Sequence, residues 1–162
     1  MSEIVVDDLI EEEDTQKNKY LTFTLEDEFY GIEIKYVIEI IGIQPISEIP
    51  ELPEYIMGII NLRGKIIPVM DVRLRFKKEL LEYNDRTCII VIQIEDISVG
   101  LIVDGVSEVI DIPDCEIVEP PEISKIKNKF IKGIGKVQND VKLLLDCDKL
   151  LNNENADSLS NI

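Results

Sequence analysis

Acidic residues stand in or beside apolar runs of this chain, among them Glu39 in VIEII, Asp71 in PVMDVRLRF, Asp104 and Glu108 in IVDGVSEVI, Asp146 and Asp148 in LLLDCDKLL. Carboxylates in apolar surroundings act as general acids, nucleophiles or metal ligands, because burial separates their pKa values from those in water. The spacing does not favour a metal. Asp146 and Asp148 begin like a calcium loop, but no glycine and no distal glutamate follow at the required positions. Histidine is absent, which removes the commonest general base, the commonest zinc ligand and every histidine-dependent triad. Gly133-Ile134-Gly135 lacks the third glycine of a dinucleotide fingerprint, and a turn or bulge explains it better. Cys88, Cys115 and Cys147 form no CxxC pair, and their odd number suits buried or half-buried thiols in a reducing compartment.

An enzyme using Asp71, Asp104 and Glu108 is therefore the alternative reading, and it requires these carboxylates to converge in one pocket. Helix capping accounts more simply for Asp71, ahead of VRLRF, and for Asp146, ahead of CDKLL. Glu39 and Glu108 read equally as solvent-facing positions and as charges rimming an apolar groove. Asp104-Gly105 reads as a tight turn, a bulge or a bend. Arg63, in GIINLRGKIIPVMDVRLRF, is the sharpest case: an exposed turn arginine beside an exposed Leu62 has the composition of a protein–protein anchor. Pro68 has no N–H to give, which places its strand at a sheet margin or bulge.

The elements that hold these residues read as mainly β. Hydrophobic residues make up 45% of the chain and aromatics only 6%, so the core is aliphatic, and 162 residues can bury it without a disulfide or metal. KYLTFTL alternates, RTCIIVIQIED and ISVGLIVDGVSEVIDI are β-branched runs, and Asn139-Asp140 in VQNDVKLLL signals a hairpin. Short helical turns are expected at 35–41, at 53–58, where proline opens and glycine closes the segment, and after Asp146. Residues 1–18 read as a disordered acidic tail and 152–162 as a polar C-terminal tail. The net charge of −16 opposes nucleic acid as a partner. The acidic opening is unlike a signal peptide, and no apolar run approaches the ~18 residues that span a bilayer, so a cytoplasmic protein without membrane insertion is expected.

The chain also matches itself. Residues 30–43 lie on 99–112 with Gly31 over Gly100 and Glu39 over Glu108, an offset of 69. Residues 55–76 lie on 130–151 with Gly58 over Gly133, Asp71 over Asp146 and Arg63-Gly64 over Gln138-Asn139, an offset of 75. Two matches in the same order favour a duplicated β unit over two unrelated hairpins. In the second copy an unremarkable glutamine stands where the first has Arg63.

YLTFTLEDEFYGIEIKYVIEI, GIINLRGKIIPVMDVRLRF and VGLIVDGVSEV, in that order, resemble the CheW family of bacterial chemotaxis coupling proteins, over residues 19–151. The resemblance implies two SH3-like five-stranded β-barrel subdomains around a shared apolar core, with short helices. It implies an adaptor without catalysis or cofactor, a monomer when isolated, that couples the histidine kinase CheA to chemoreceptor tips in membrane-associated arrays. Receptor contact would fall on Ile34, Val37, Glu39, Ile40, Met57, Gly58, Arg63 and Val109. Kinase contact would fall on exposed strand edges near Cys88, Gly100 and Leu101.

Overall fold

The computed structural model describes residues 16–120 and 129–151. The chain runs β1 (Lys19–Leu25), β2 (Glu28–Glu33), a 3-10 turn (Ile34–Tyr36), β3 (Val37–Gly42), β4 (Ile56–Leu62), β5 (Lys65–Asp71) and helix α1 (Val72–Arg75). It continues through β6 (Cys88–Ile94), β7 (Ile97–Val103), β8 (Gly105–Asp111), a second 3-10 turn (Asp114–Glu116), β9 (Ile117–Val118), β10 (Ile131–Val137), β11 (Asp140–Leu145) and helix α2 (Cys147–Leu151). The strands form a six-stranded sheet, β8-β1-β2-β11-β10-β9, and a five-stranded sheet, β3-β6-β7-β5-β4. The mainly-β class stands. Both expected tails fall almost wholly outside the described residues; Asn18, placed in the tail by its sequence, instead accepts the Ile112 amide at 2.8 Å.

The duplication is visible strand for strand, and it is interleaved. The two offsets place β1, β2 and β3 on β6, β7 and β8, and β4 and β5 on β10 and β11. Yet β1 and β2 of the first copy sit between β8 and β11 of the second, while β6 and β7 sit between β3 and β5. Each sheet thus takes two strands from one copy and the rest from the other. The parallel seams correspond: Gly31 lies opposite Leu144, and Gly100 opposite Val69. The chain crosses between sheets at the 3-10 turn after β2 and at the bend of Asp104, so the bend reading of Asp104-Gly105 is the right one. Neither half of the sequence builds a sheet alone.

Alternation drives the packing, because successive side chains of a strand point to opposite faces. Ile90, Ile92 and Ile94 of β6 join a core shared by both sheets, with Leu21, Phe23, Tyr30 and Ile32 from the six-stranded one. Ile89 and Val91 of the same strand point instead into the inner core of the five-stranded sheet, with Ile60, Ile67, Val69 and Ile102. A smaller inner core, Tyr20, Ile112 and Leu144, fills the other sheet. Each fully buried side chain of this size contributes about 1.5–3 kcal/mol.

Both sheets curl. β8 and β9 lie at opposite ends of one sheet although only five residues separate them in sequence. In the other, Ser47 and Ile59 exchange two 2.9 Å backbone hydrogen bonds, joining the chain just after β3 to β4 at the far edge. The ladders bend toward barrels without a continuous ring. Closure depends on Gly58: at φ 146°, a Cβ there would lie 2.2 Å from the Ser47 carbonyl oxygen. Gly58 and Gly133 both mark a register shift in their hairpins, so the bulge reading of the GIG segment holds as well.

Several expectations are corrected. Residues 37–42 are strand, with only a 3-10 turn before them, and the helix expected at 53–58 is a turn leading into β4. Leu62 is buried in the inner core, not exposed beside Arg63. Pro68 lies in an interior strand; it is tolerated because the β5·β7 ladder begins only at Val69. Cys115 is exposed, whereas Cys147 is buried and Cys88 half-buried.

Candidate functional site

The first copy's turn is a two-residue loop closed by the Leu62–Lys65 pair, with Arg63 at φ 51° and Gly64 at φ 89°. Two successive left-handed residues give the primed turn that matches strand twist. The Gly64 amide donates to Asn61 Oδ1 at 2.8 Å and pins the loop. From this tip the exposed Arg63 side chain donates to Glu39 of β3 and forms an ion pair with it. That hydrogen bond raises the guanidinium's pKa above its ordinary value. Since β3 and β4 are the two ends of the curled sheet, the Arg63–Glu39 pair spans the place where its edges meet.

The same sheet shows unusual apolar exposure. Ile38 is 54% exposed, Ile40 43% and Ile66 52%, with Ile43 beside them in sequence. β3 is an edge strand whose outer side pairs with no named strand among the described residues. Pro45, Ser47, Ile59 and Ile66 line a shallow hollow of about 280 Å³ next to it. Along β3, exposed Ile38 and Ile40 alternate with half-buried Glu39, so the isoleucines and the charge pair face opposite sides of this open edge.

Of the residues assigned to receptor contact, Ile40, Arg63 and Val109 are exposed, and Ile34, Val37, Glu39 and Met57 half-buried. Ile34 and Val37 pack on the shared core and Met57 on the inner core. Gly58 is buried, and its place is dictated by the Ser47 carbonyl. Of the kinase-contact residues, Cys88 is half-buried, but Gly100 and Leu101 are buried in β7, flanked by β6 and β5. They form no exposed strand edge. A Cβ at Gly100 would lie 2.7 Å from Ile89 and 2.9 Å from Val69, so its lack of a side chain serves strand packing. Ile38, Ile43 and Ile66 are also exposed and were not among the expected contact residues; the isoleucine density of VIEIIGI signalled the first two.

The carboxylates do not assemble a reactive centre. Asp71 and Asp104 line one hollow of about 270 Å³, but each is fully engaged. Asp71 Oδ1 caps α1, accepting the Arg73 amide at 2.9 Å and the Leu74 amide at 3.4 Å. Its Oδ2 accepts the Tyr83 hydroxyl at 2.7 Å, and burial together with this bond pushes the Tyr83 pKa up. Asp104 takes a forked pair from Arg73, with Nε at 2.7 Å, and the Glu26 amide at 2.8 Å. Burial by itself would raise the Asp104 carboxyl; these hydrogen bonds outweigh it and hold the pKa below the usual range. Glu108 stands apart on β8, where its backbone bonds the Thr22 hydroxyl. Asp146 caps α2 through the Lys149 amide at 3.1 Å. Among the described residues no three acidic or cysteine side chains form a group able to hold a metal.

The CheW-like domain family model matches residues 19–155. Chemotaxis protein CheW of Klebsiella aerogenes is 34% identical over 150 residues, covering 92% of this chain and 90% of that protein. Chemotaxis protein CheW of Bacillus subtilis is 35% identical over 141 residues, covering 86% and 90%. The crystal structure of scaffolding protein TtCheW from Thermoanaerobacter tengcongensis superposes with a TM-score of 0.78 at 38% identity, covering 85% of this chain and 94% of that one. The interleaved sheets, the Arg63-tipped hairpin and these matches lead to one conclusion: the chain belongs to the CheW-like domain family.

Proposed function

We propose that this chemotaxis scaffold holds the histidine kinase CheA to the cytoplasmic tips of chemoreceptors and passes receptor state to the kinase. The scaffold role, without catalysis, is that of the family and of the structurally similar scaffolding protein. The observation that supports the finer reading is the open β3 edge, with Ile38 and Ile40 exposed on one face and the Arg63–Glu39 ion pair on the other. A receptor's helical tip would lay its apolar stripe across these isoleucines, the helix-in-groove mode of recognition. Val109 and the half-buried Ile34, Val37 and Met57 would border that contact, with Gly58 shaping it from beneath. CheA's similar β module would meet the sheet end near Cys88, where Gly100 and Leu101 act only by keeping β7 packed.

Each contact need bury no more than ~1,200–2,000 Å², because an array multiplies modest contacts into avidity. The site of action is the cytoplasmic face of receptor arrays; no helix among the described residues is long and apolar enough to cross a membrane. Calorimetric titration with a receptor cytoplasmic fragment tests the assignment. Ile40→Asp and Arg63→Glu should each weaken binding at least tenfold, the effect of losing about 1.4 kcal/mol at an anchor residue. Wild-type affinity in both variants would remove the receptor from this surface.

A further inference from the structure

The two α helices close the molecule on one side, and between them lies a residue that breaks the internal symmetry. Tyr55 and Phe130 are counterparts in the repeat, both buried, and their carbonyls accept the Asp71 and Asp146 amides at 2.8 and 2.7 Å. The guanidinium of Arg75 lies 4.4 Å from both ring centres, sandwiched between these two equivalent aromatics. Its Nε donates to the Leu150 carbonyl at 3.0 Å and Nη2 to the Lys149 carbonyl at 3.4 Å. Arg75 itself is 6% exposed.

Under the offset of 75, the counterpart of Arg75 is Leu150. Arg75 therefore bonds the backbone of its own equivalent and touches both members of an equivalent aromatic pair, which places it on the pseudo-twofold axis. Two arginines facing one another across that axis would repel in a desolvated space. One arginine and one leucine fit. The planar fork stacks on both rings while its edge reaches the carbonyls at the end of α2, a combination lysine cannot supply. The neighbouring Phe76 stacks on Phe130 and meets Tyr30 of β2, each at 5.5 Å between centres, so the C-terminal end of α1 is tied to the six-stranded sheet.

We infer that Arg75 is a positioning residue for the coupling function: it fixes the angle between the two sheets, and so the relative placement of partners docked on them. The functional half of this inference rests on the scaffold reading above; the geometric half does not. α1 follows a strand of the five-stranded sheet and α2 a strand of the six-stranded one, and the described Arg75 contacts join the two. An adaptor that transmits a shift in partner placement needs such a joint to be stiff.

The test uses Arg75→Met, which keeps the apolar volume but loses the fork and charge, and Arg75→Lys, which keeps the charge. Spin labels at positions 66 and 141, exposed on different sheets, in a Cys88→Ser/Cys115→Ser background, report the inter-sheet distance by pulsed electron resonance. Wild type should give one narrow distribution, and both variants a clearly broader one. In the unlabelled Arg75 variants, with Ile66, Cys88, Cys115 and Val141 all kept, stimulation of CheA in receptor complexes should fall about 2- to 30-fold, the range over which single residues alter coupling between sites, while binding to each isolated partner stays unchanged. Unbroadened distances in both variants would overturn the inference, as would a folding failure of Arg75→Met alongside a wild-type distribution in Arg75→Lys. Broadened distances with no wild-type binding to either partner would instead overturn the scaffold reading and leave the joint standing.

Discussion

In the β4–β5 turn Arg63 takes φ 51° and reaches Glu39; in the β10–β11 turn Gln138 takes φ 57° and the counterpart of Glu39, Glu108, stands exposed on β8. Both hairpins close a two-residue loop, bulge at a glycine and end in an aspartate that caps a short helix. What the two copies share is therefore what folding requires: a left-handed residue, a place where backbones meet closely, and a cap. What they do not share is free to serve a partner. Gln138 takes the same left-handed turn position, so the turn itself does not call for arginine there.

The largest effect should separate the two glycines. At Gly58 an added Cβ meets backbone at 2.2 Å with φ 146°, whereas at Gly133, where φ is not left-handed, it meets a methyl of Ile117 at 2.8 Å. Gly58→Ala should cost about 3 kcal/mol or more and Gly133→Ala about 1, read from urea unfolding. Equal losses would mean that the Ser47 segment is not held where it lies. Next come the caps. Asp71 is buried and also accepts the Tyr83 hydroxyl, while Asp146 only caps. Asp71→Ala should cost about 2–3 kcal/mol and Asp146→Ala about 1, and a reversed order would dissolve the contrast.

A third difference titrates. The first residue of α2 is Cys147, where α1 has Val72, and burial pushes the Cys147 thiol up to about 12 from a usual 9.0. The unfolded chain ionises this thiol first, so its contribution is whole below pH 9.0 and fades as pH rises toward 12. Relative to Cys147→Val, which borrows the other copy's residue, wild type should lose about 1.4 kcal/mol by pH 10. Parallel profiles from pH 8 to 11 would show the thiol to be solvated. The smallest effect on stability is expected at Arg63, whose ion pair is exposed. Arg63→Ala should leave the unfolding midpoint unmoved while weakening receptor binding; a lowered midpoint with unchanged binding would make the pair structural.

The sequence made the hairpins, both caps and the duplication legible because each rests on local chemistry: turn residues, a capping carboxylate, period-two alternation. Residues 35–41 misled because Val37, Ile40 and Ile41 keep helical spacing, and because the exposed isoleucines of β3 hide the alternation of an edge strand. Pro53 and Gly58 imitate helix ends, although the glycine is there for the Ser47 carbonyl. The interleaving of the copies left no trace, since equivalent strands present the same pattern whichever partner they take. Arg63 was legible as the odd residue of a turn, but its partner Glu39 lies across a sheet closure that only three dimensions reveal. The family resemblance put Gly100 and Leu101 near exposed strand edges, but both are interior, because strand order fixes what is an edge.

The central claim is coupling, and autophosphorylation of CheA measures it most directly. CheA and a receptor cytoplasmic fragment are mixed with and without this protein, and with its Arg63→Glu variant. Kinase activity should become receptor-dependent only when the wild-type protein is present, and the variant should restore little of that dependence. Equal activity in all three mixtures would contradict the account.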